Sequence, residues 1–277
     1  MNRLFVAKKP LFVGSNSYLS RLKRRYGVKS AGFSGVLDPC AKGALIVAFG
    51  RYSRLFSYLA KTPKRYRATL WLGAQSPSLD IEKIARITAA PRLETASIAG
   101  VFSEFLGEIE QLPPAFSAIK IDGQRAYKLA RKGEEVDIKP RKVTIYDLRL
   151  IAYNNPFLSF ECTVSEGAYI RSLGRDIATK LGCEGSLSYL ERLSEGRFTY
   201  DGEKPLDPLK YIDLPRNFYA KDHSELFVGK KLDISSFSVQ MDGDYLIESK
   251  EFFTIVNIEN GAISYKIARM DLADLSA

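Results

Sequence analysis

Histidine is almost missing from this chain. His223 is the only one in 277 residues. A Ser-His-Asp or Cys-His apparatus would have to use it, and so would a histidine-based metal site. It lies in AKDHSE, a polar stretch that reads as linker, where a surface histidine is expected. Acid–base chemistry therefore falls to carboxylates, tyrosines or lysines. Cysteine is scarce too. Cys40, Cys162 and Cys183 are few and far apart, which argues against a disulfide framework or a zinc site and for a reducing cytoplasm. No apolar run approaches the roughly 20 residues a membrane-spanning helix needs. The opening MNRLFVAKKP has too short an apolar core for a signal peptide. Internal repeats and low-complexity tracts are also missing.

What the chain has in excess is positive charge. The net charge is +9, from 41 Lys and Arg against 32 Asp and Glu. That favours a polyanionic partner, nucleic acid before an acidic membrane surface. The length allows one large core plus a small second domain.

The stretch Ser30–Gly50, SAGFSGVLDPCAKGALIVAFG, holds the chain's most suggestive acid, Asp38. Gly32 and Gly35 permit a tight, irregular backbone ahead of it. Pro39 suits the first position of a helical turn. One reading makes Asp38 an N-cap. The other makes it a carboxylate that a glycine-rich loop presents to a ligand. The dipeptide alone leaves both open.

Around that stretch the coarse pattern runs as follows. Residues 3–7 read as a short strand, and 15–26 as a helix capped by Ser15 or Asn16, with Leu19, Leu22 and Tyr26 inward. Arg21, Lys23, Arg24, Arg25 and Lys29 make its remainder basic without one acid, which suits solvation or phosphate contact. Residues 53–60 read as helix. Residues 61–73 alternate as a strand, with Tyr66, Ala68, Leu70 and Leu72 on one face and Arg65, Arg67, Thr69 and Trp71 on the other. Tyr66 then is a core tyrosine or a phenol at a pocket mouth among cations. Helix is expected over 95–106 and 124–132, and a strand over 116–121 followed by an Asp122-Gly123 turn. KPRKVTIYDLRLIAY and FLSFECTV read as two strands. Ile170, Leu173, Ile177 and Leu181 mark a helix with Arg171 in its first turn, where the macrodipole disfavours a cation. That hints at a partner acid. LSYLERLSEGRF reads as a short helix and a turn, 204–218 as linker, and the rest as short β-like runs.

Several of these segments together resemble one family. GFSGVLDPCAKGALIVAFG resembles the G-H-T-G-T-L-D-P-x-A-x-G-x-L signature of the tRNA pseudouridine-55 synthase (TruB) family. KRYRATLWLGAQSPSLD resembles its tyrosine motif, and QLPPAFSAIKIDGQRAYKLARKGEEV its Q-x-P-P-x-[YF]-S-A-x-K segment. GAYIRSLGRDIATKLG and YLERLSEGRF resemble its Y-I-R and Y-L-x-R-L motifs. These five run in the family's order from about residue 4 to 212. The tail is a weaker match to the RNA-binding PUA domain such enzymes often carry.

The resemblance implies an α+β fold. Its sheet would be mixed and largely antiparallel, flanked by helices and crossed by a cleft. It divides the chain into a catalytic domain over 1–212, a linker over 213–220 and a small β-rich PUA-like domain over 221–277. It implies isomerisation of uridine-55 in the TΨC loop of tRNA to pseudouridine, without cofactor or metal. The tRNA would be its partner, with no protein partner or membrane, and the enzyme a cytoplasmic monomer. Asp38 matches the catalytic aspartate, Tyr66 the tyrosine that stacks on the target base, and Arg171 the arginine that pairs with the aspartate. Leu190 matches a pocket leucine. Lys9, Lys64 and Lys120 match lysines near the RNA or pocket, and Tyr169 opens the Y-I-R match. One departure stands out: Phe33 replaces the motif's histidine. Phe33 would stack where the extruded base had been, or anchor the loop from within the core. A related synthase acting on another RNA, or an RNA-folding factor with dispensable catalysis, are the alternative functions.

Overall fold

The computed structural model describes residues 1–121, 123–134 and 137–272. Asp122, expected in a turn with Gly123, lies outside them. The strands in chain order are β1 (Arg3–Lys9), β2 (Ala31–Ser34), β3 (Ala41–Phe49), β4 (Lys64–Leu72), β5 (Ala74–Gln75), β6 (Arg86–Ile87), β7 (Gly107–Gln111), β8 (Lys120–Ile121), β9 (Gln124–Arg125), β10 (Arg141–Asn154), β11 (Phe157–Val164), β12 (Gly185–Glu195), β13 (Phe198–Thr199), β14 (Gly243–Glu248), β15 (Phe252–Glu259) and β16 (Ala262–Asp271). The helices are α1 (Ser15–Arg25), α2 (Thr95–Glu104), α3 (Ala126–Arg131), α4 (Ile170–Lys180) and α5 (Ser224–Phe227).

One sheet of nine strands dominates, in the order β1-β3-β12-β4-β11-β10-β7, with β2 added to β3 and β13 to β12. Among the described residues its pairings are antiparallel except β3 with β12. This is the mixed, largely antiparallel α+β arrangement that was expected. A separate antiparallel sheet, β14-β15-β16, closes the chain.

The hydrophobic pattern explains the layers. In β4, Tyr66, Ala68, Leu70 and Leu72 are buried while Arg65 and Arg67 are exposed, the alternation of a strand covered on one face. Ile170, Leu173, Ile177 and Leu181 of α4 close over that face, joined by Ile98 and Phe102 of α2. β3 shows no alternation because both its faces are covered. Leu45, Val47 and Phe49 pack with Phe5 and Leu22, beneath α1. Ala44, Ile46 and Ala48 pack with Leu246, Phe253, Ile255 and Ile267 of the C-terminal sheet. Residues 213–220, read as linker, are tied down at several points. The Asp213 N–H donates to Tyr58 O at 2.8 Å and the Asn217 N–H to Leu246 O at 3.0 Å.

Three local expectations fail. The segment read as helix and turn over LSYLERLSEGRF is β12, in the middle of the sheet. Its register slips between Leu187 and Tyr189 and again between Arg192 and Ser194. Bulges break the period of two, so Leu187 and Leu190, three apart, both face inward and imitate helical spacing. Residues 53–60 hold only the end of a 3-10 turn over Gly50–Leu55. The strand expected over 116–121 shrinks to Lys120–Ile121, paired with Gln124–Arg125, and the helix after it to Ala126–Arg131.

Candidate active site

Asp38 caps no helix. The chain turns at Pro39 and Cys40 directly into β3, with the Ala41 N–H donating to the Asp38 carbonyl at 3.0 Å. The carboxylate is instead offered by a loop fixed from four sides. Ser15 Oγ donates to Leu37 O at 2.9 Å and accepts from its N–H at 3.0 Å. The Phe12 N–H donates to Pro39 O at 2.7 Å. Lys9 is fully buried, and its Nζ donates to Val13 O at 2.6 Å, Pro10 O at 3.0 Å and Pro39 O at 3.5 Å. Arg192 Nη2 donates to Gly35 O at 2.8 Å. Gly35 has φ +66°, and a Cβ there would lie 2.3 Å from Glu195 Oε1, so only glycine fits.

Arg171, 4% exposed, meets the loop from the first turn of α4. Its Nε stands 2.8 Å from Asp38 Oδ2 and its Nη1 3.6 Å from Asp80 Oδ2. Nη1 and Nη2 also donate to Ser78 O at 2.7 Å and Phe116 O at 2.8 Å. Asp80 is itself fixed, accepting from Ser78 Oγ at 2.6 Å, the Glu82 N–H at 3.0 Å and Cys40 Sγ at 3.3 Å. The misplaced cation of the helix N-terminus thus has two acids. Burial pushes the Asp38 carboxyl above the usual carboxylate range, Arg171 opposes this, and Asp80 adds to it. Burial also lowers Lys9 to about 8.

Asp38 and Arg171 stand between two cavities. One, of about 240 Å³, is lined by Lys64, Tyr66, Tyr169, Leu190 and Arg192 as well as the pair itself. The other, of about 270 Å³, reaches Asn16 and Ser17 of α1, Phe116, Tyr127 and Arg131. The first therefore gathers Asp38, Tyr66, Arg171, Lys64, Tyr169 and Leu190. Tyr66 is buried, and desolvation pushes its phenol up to about 12 despite Arg192 beside it, so it is neutral at pH 7. The Tyr169 N–H donates to Gln111 Oε1 at 2.7 Å, and Arg141 lies over its ring at 5.7 Å.

Three of the sequence-derived candidates lie elsewhere. Lys9 sits beneath the loop with its ammonium used up on backbone carbonyls. Lys120 is exposed on the β8–β9 hairpin and lines neither cavity. Phe33 is half-buried, packs with the cluster of Phe5, Leu22 and Val47, and lines neither cavity. Sequence reasoning singled out neither Asp80 nor the buried pair Arg192 and Glu195, 3.2 Å apart. All three lie inside stretches matched to the family, but a lone acid in SPSLD and charges in a segment read as a short helix and a turn carry no signal of burial.

The model of the TruB family pseudouridylate synthases, N-terminal domain, matches residues 23–170. This chain belongs to that family. It is 52% identical over 265 residues to the tRNA pseudouridine synthase B of a Nitratiruptor species, covering 96% of each chain. It is 51% identical over 270 residues to that of a Sulfurovum species, covering 98% of each. One from Campylobacter jejuni is 46% identical over 271 residues, covering 98% of this chain and 99% of that protein. Among solved structures, the archaeal box H/ACA sRNP Nop10-Cbf5 complex contains a chain that superposes with TM-score 0.66 at 19% identity. The match covers 97% of this chain and 86% of that one. A chain of a Cbf5-Nop10-Gar1 complex gives 0.65 at 20% identity, covering 98% and 84%. At that identity the likeness shows the fold. Among the described residues no helix is long and apolar enough to cross a membrane.

Proposed function

We propose that this pseudouridine synthase isomerises uridine-55 in the TΨC loop of tRNA, with Asp38 as its essential carboxylate. The observation that carries the reading is the Asp38–Arg171 contact of 2.8 Å at the junction of two cavities. The names of its relatives, tRNA pseudouridine synthase B, support the substrate class.

The chemistry asks for little else. The C1′–N1 bond breaks, the uracil turns, and a C1′–C5 bond forms. C5 loses a proton and N1 gains one, so no redox partner enters. Asp38 attacks C1′ or takes the neighbouring ribose proton. Arg171 keeps it ionised against burial. The uracil occupies the cavity between Asp38 and Tyr66, and Leu190 and Tyr169 wall it in. Tyr66 lies against the ring, and as a neutral phenol it can take the C5 proton only while passing its own onward. The base must leave the folded loop to get there, and exposed cations such as Arg21, Arg24, Lys120, Arg125 and Lys128 are available to the phosphates. The chemistry is thus assigned to residues 1–212, and the sheet within 221–277 to an ancillary RNA contact.

The deciding experiment is an in vitro reaction on a tRNA transcript and a TΨC stem-loop, mapped for pseudouridine at nucleotide resolution. One modified position, 55, is expected with the wild-type enzyme and none with Asp38→Asn. Product at other positions only, or equal product from both enzymes, rejects the reading.

A further inference from the structure

Four charged or phenolic side chains share one face of the sheet under the Tyr66 cavity. On β4, Lys64 and Tyr66 are two apart and point together. On β12, Arg192 and Glu195 are three apart and would point to opposite faces of a regular strand. The register slip between Arg192 and Ser194 brings them to the same side, Arg192 across from Tyr66 and Glu195 across from Lys64.

Glu195 is the centre of this group, and both it and Arg192 are 1% exposed. Its Oε1 stands 3.3 Å from Lys64 Nζ and its Oε2 3.2 Å from Arg192 Nη2. Neither oxygen makes a well-directed hydrogen bond. A buried carboxylate in that state is expensive, and an apolar side chain would serve packing better. Hydrogen bonds of a site without substrate are often long and tighten once it is filled. The contacts also lead outward to both walls of the cavity. Arg192 donates to Gly35 O at 2.8 Å and to Ala44 O at 2.8 Å, and it lies beside the Tyr66 hydroxyl. Glu195 fills the space a Gly35 side chain would take, three residues before Asp38.

We propose that Glu195 is a positioning residue that sets the separation of Asp38 from Tyr66, holding Arg192 against the catalytic loop and Lys64 against the cavity. The proposal rests on the reading that the uracil lies between those two groups. Without the Glu195 charge, Arg192 and Lys64 repel each other. The Gly35–Asp38 loop and the Tyr66 ring then lose their common anchor. A displacement of about 1 Å can cost on the order of 100-fold in rate.

The test is single-turnover kinetics at saturating enzyme on a TΨC stem-loop, with Glu195→Gln in the full chain. The rate constant should fall roughly 10- to 100-fold while Kd for the stem-loop stays within about threefold. An unfolded fraction lowers the concentration of active enzyme and not this rate constant. Should Glu195→Gln yield no folded protein, Glu195→Asp, which keeps the charge on a shorter side chain, carries the same readout with a smaller loss. The effect should also be non-additive with Tyr66→Phe, costing less than about threefold in that background. Glu195→Asp should recover part of the loss. An unchanged rate constant, a loss confined to Kd, or full additivity with Tyr66→Phe overturns the proposal. Failure of the functional reading looks different, because the wild-type enzyme would then leave position 55 unmodified.

Discussion

Two charge clusters on this sheet are built from the same groups in opposite ratio. At Asp38, one arginine, Arg171, faces two acids, Asp38 and Asp80. On the other face, one acid, Glu161, faces three arginines. Arg67 approaches to 2.6 Å, Arg149 to 2.5 Å and Arg65 to 3.6 Å. The guanidiniums around Glu161 are about half exposed, whereas Arg171 is 4% exposed. Hydrogen bonds from Arg67 hold Glu161, itself only 7% exposed, below the usual range, whereas Asp38, 35% exposed at the cavity edge, is pushed above it by desolvation and by Asp80 with Arg171 opposing. The Glu161 cluster is an acid stabilised by a surplus of solvated cations. The Asp38 cluster is an acid kept uneasy beside a cavity, where a carboxylate that must react is best left short of partners.

Substitution should separate the two. Asp38→Asn should lower turnover by at least about 10⁴-fold, the scale of losing an essential nucleophile, while tRNA binding survives on its phosphate contacts. Mapping product after long incubation checks this, and pseudouridine above background from Asp38→Ala would sink the assignment. The sign for stability follows from the raised pKa. Ionising Asp38 at pH 7 opposes folding, since a group raised in the folded state stabilises below its unfolded pKa and loses that as pH rises. The Asp38 side chain is 35% exposed, which weakens that effect, and Asp80 still faces Arg171 in Asp38→Asn, so its melting temperature should stay close to that of the wild type.

Binding should be steeply salt-dependent. Cations at Arg21–Lys29 and Lys120–Lys142 suffice for about 6 phosphates, so affinity should fall on the order of 10³ from roughly 50 to 200 mM salt. A flat titration would remove the polyanion from the account. Next in size is Arg171→Lys, which keeps charge but not the fork that meets Asp38, Ser78 O and Phe116 O at once. It should cost about 100-fold in single-turnover rate, the scale of a misplaced catalytic group. It should also move the acid limb of the rate to higher pH, because Asp38 must be ionised and loses its close countercharge. An unmoved limb with a near-normal rate would reject the pairing.

Glu161→Gln should do the reverse. Glu161 has a lowered pKa, so its stabilisation is present above the ordinary carboxylate range and lost as pH falls through the folded value. Half-exposed partners keep the worth near 1 kcal/mol, or about 2–4 °C in melting temperature, with turnover unchanged. A tenfold loss of rate would erase the contrast between the clusters.

Some of this was legible beforehand and some was not. Glycines, strand alternation and a cation at the wrong helix end left Asp38, Tyr66 and Arg171 open between structural and functional readings, and the resemblance to the family's motifs is what singled them out. Asp80 gave none, since its burial comes from contacts with Cys40, Arg171 and the 76–82 turn that only the fold creates. Arg192 and Glu195 were hidden by bulges that make β12 imitate a helix. Lys9 matched a functional lysine by position, yet nothing in KKP distinguishes an ammonium that meets RNA from one that holds Pro39 O in place.

Phe33 is where a smaller effect tells most. It lies on β2, across from Val47, and packs against the cluster under α1. A ring that stacks in place of an extruded base would need to stand at a cavity, and Phe33 lines neither. Full truncation of a core phenylalanine costs about 3–5 kcal/mol. A half-buried one should cost less, about 1–2 kcal/mol by the area it removes from water, and lower the melting temperature by several degrees. Single-turnover rate should change by less than about threefold, because no base–aromatic stacking of about 1–3 kcal/mol is lost. Phe33→His should behave like Phe33→Ala in stability, since an imidazole among Phe5, Leu22 and Val47 gains no partner there. The opposite pattern, an unchanged melting temperature with a rate loss of tenfold or more that Phe33→His repairs, would mean that β2 opens on RNA binding and delivers Phe33 to the cleft.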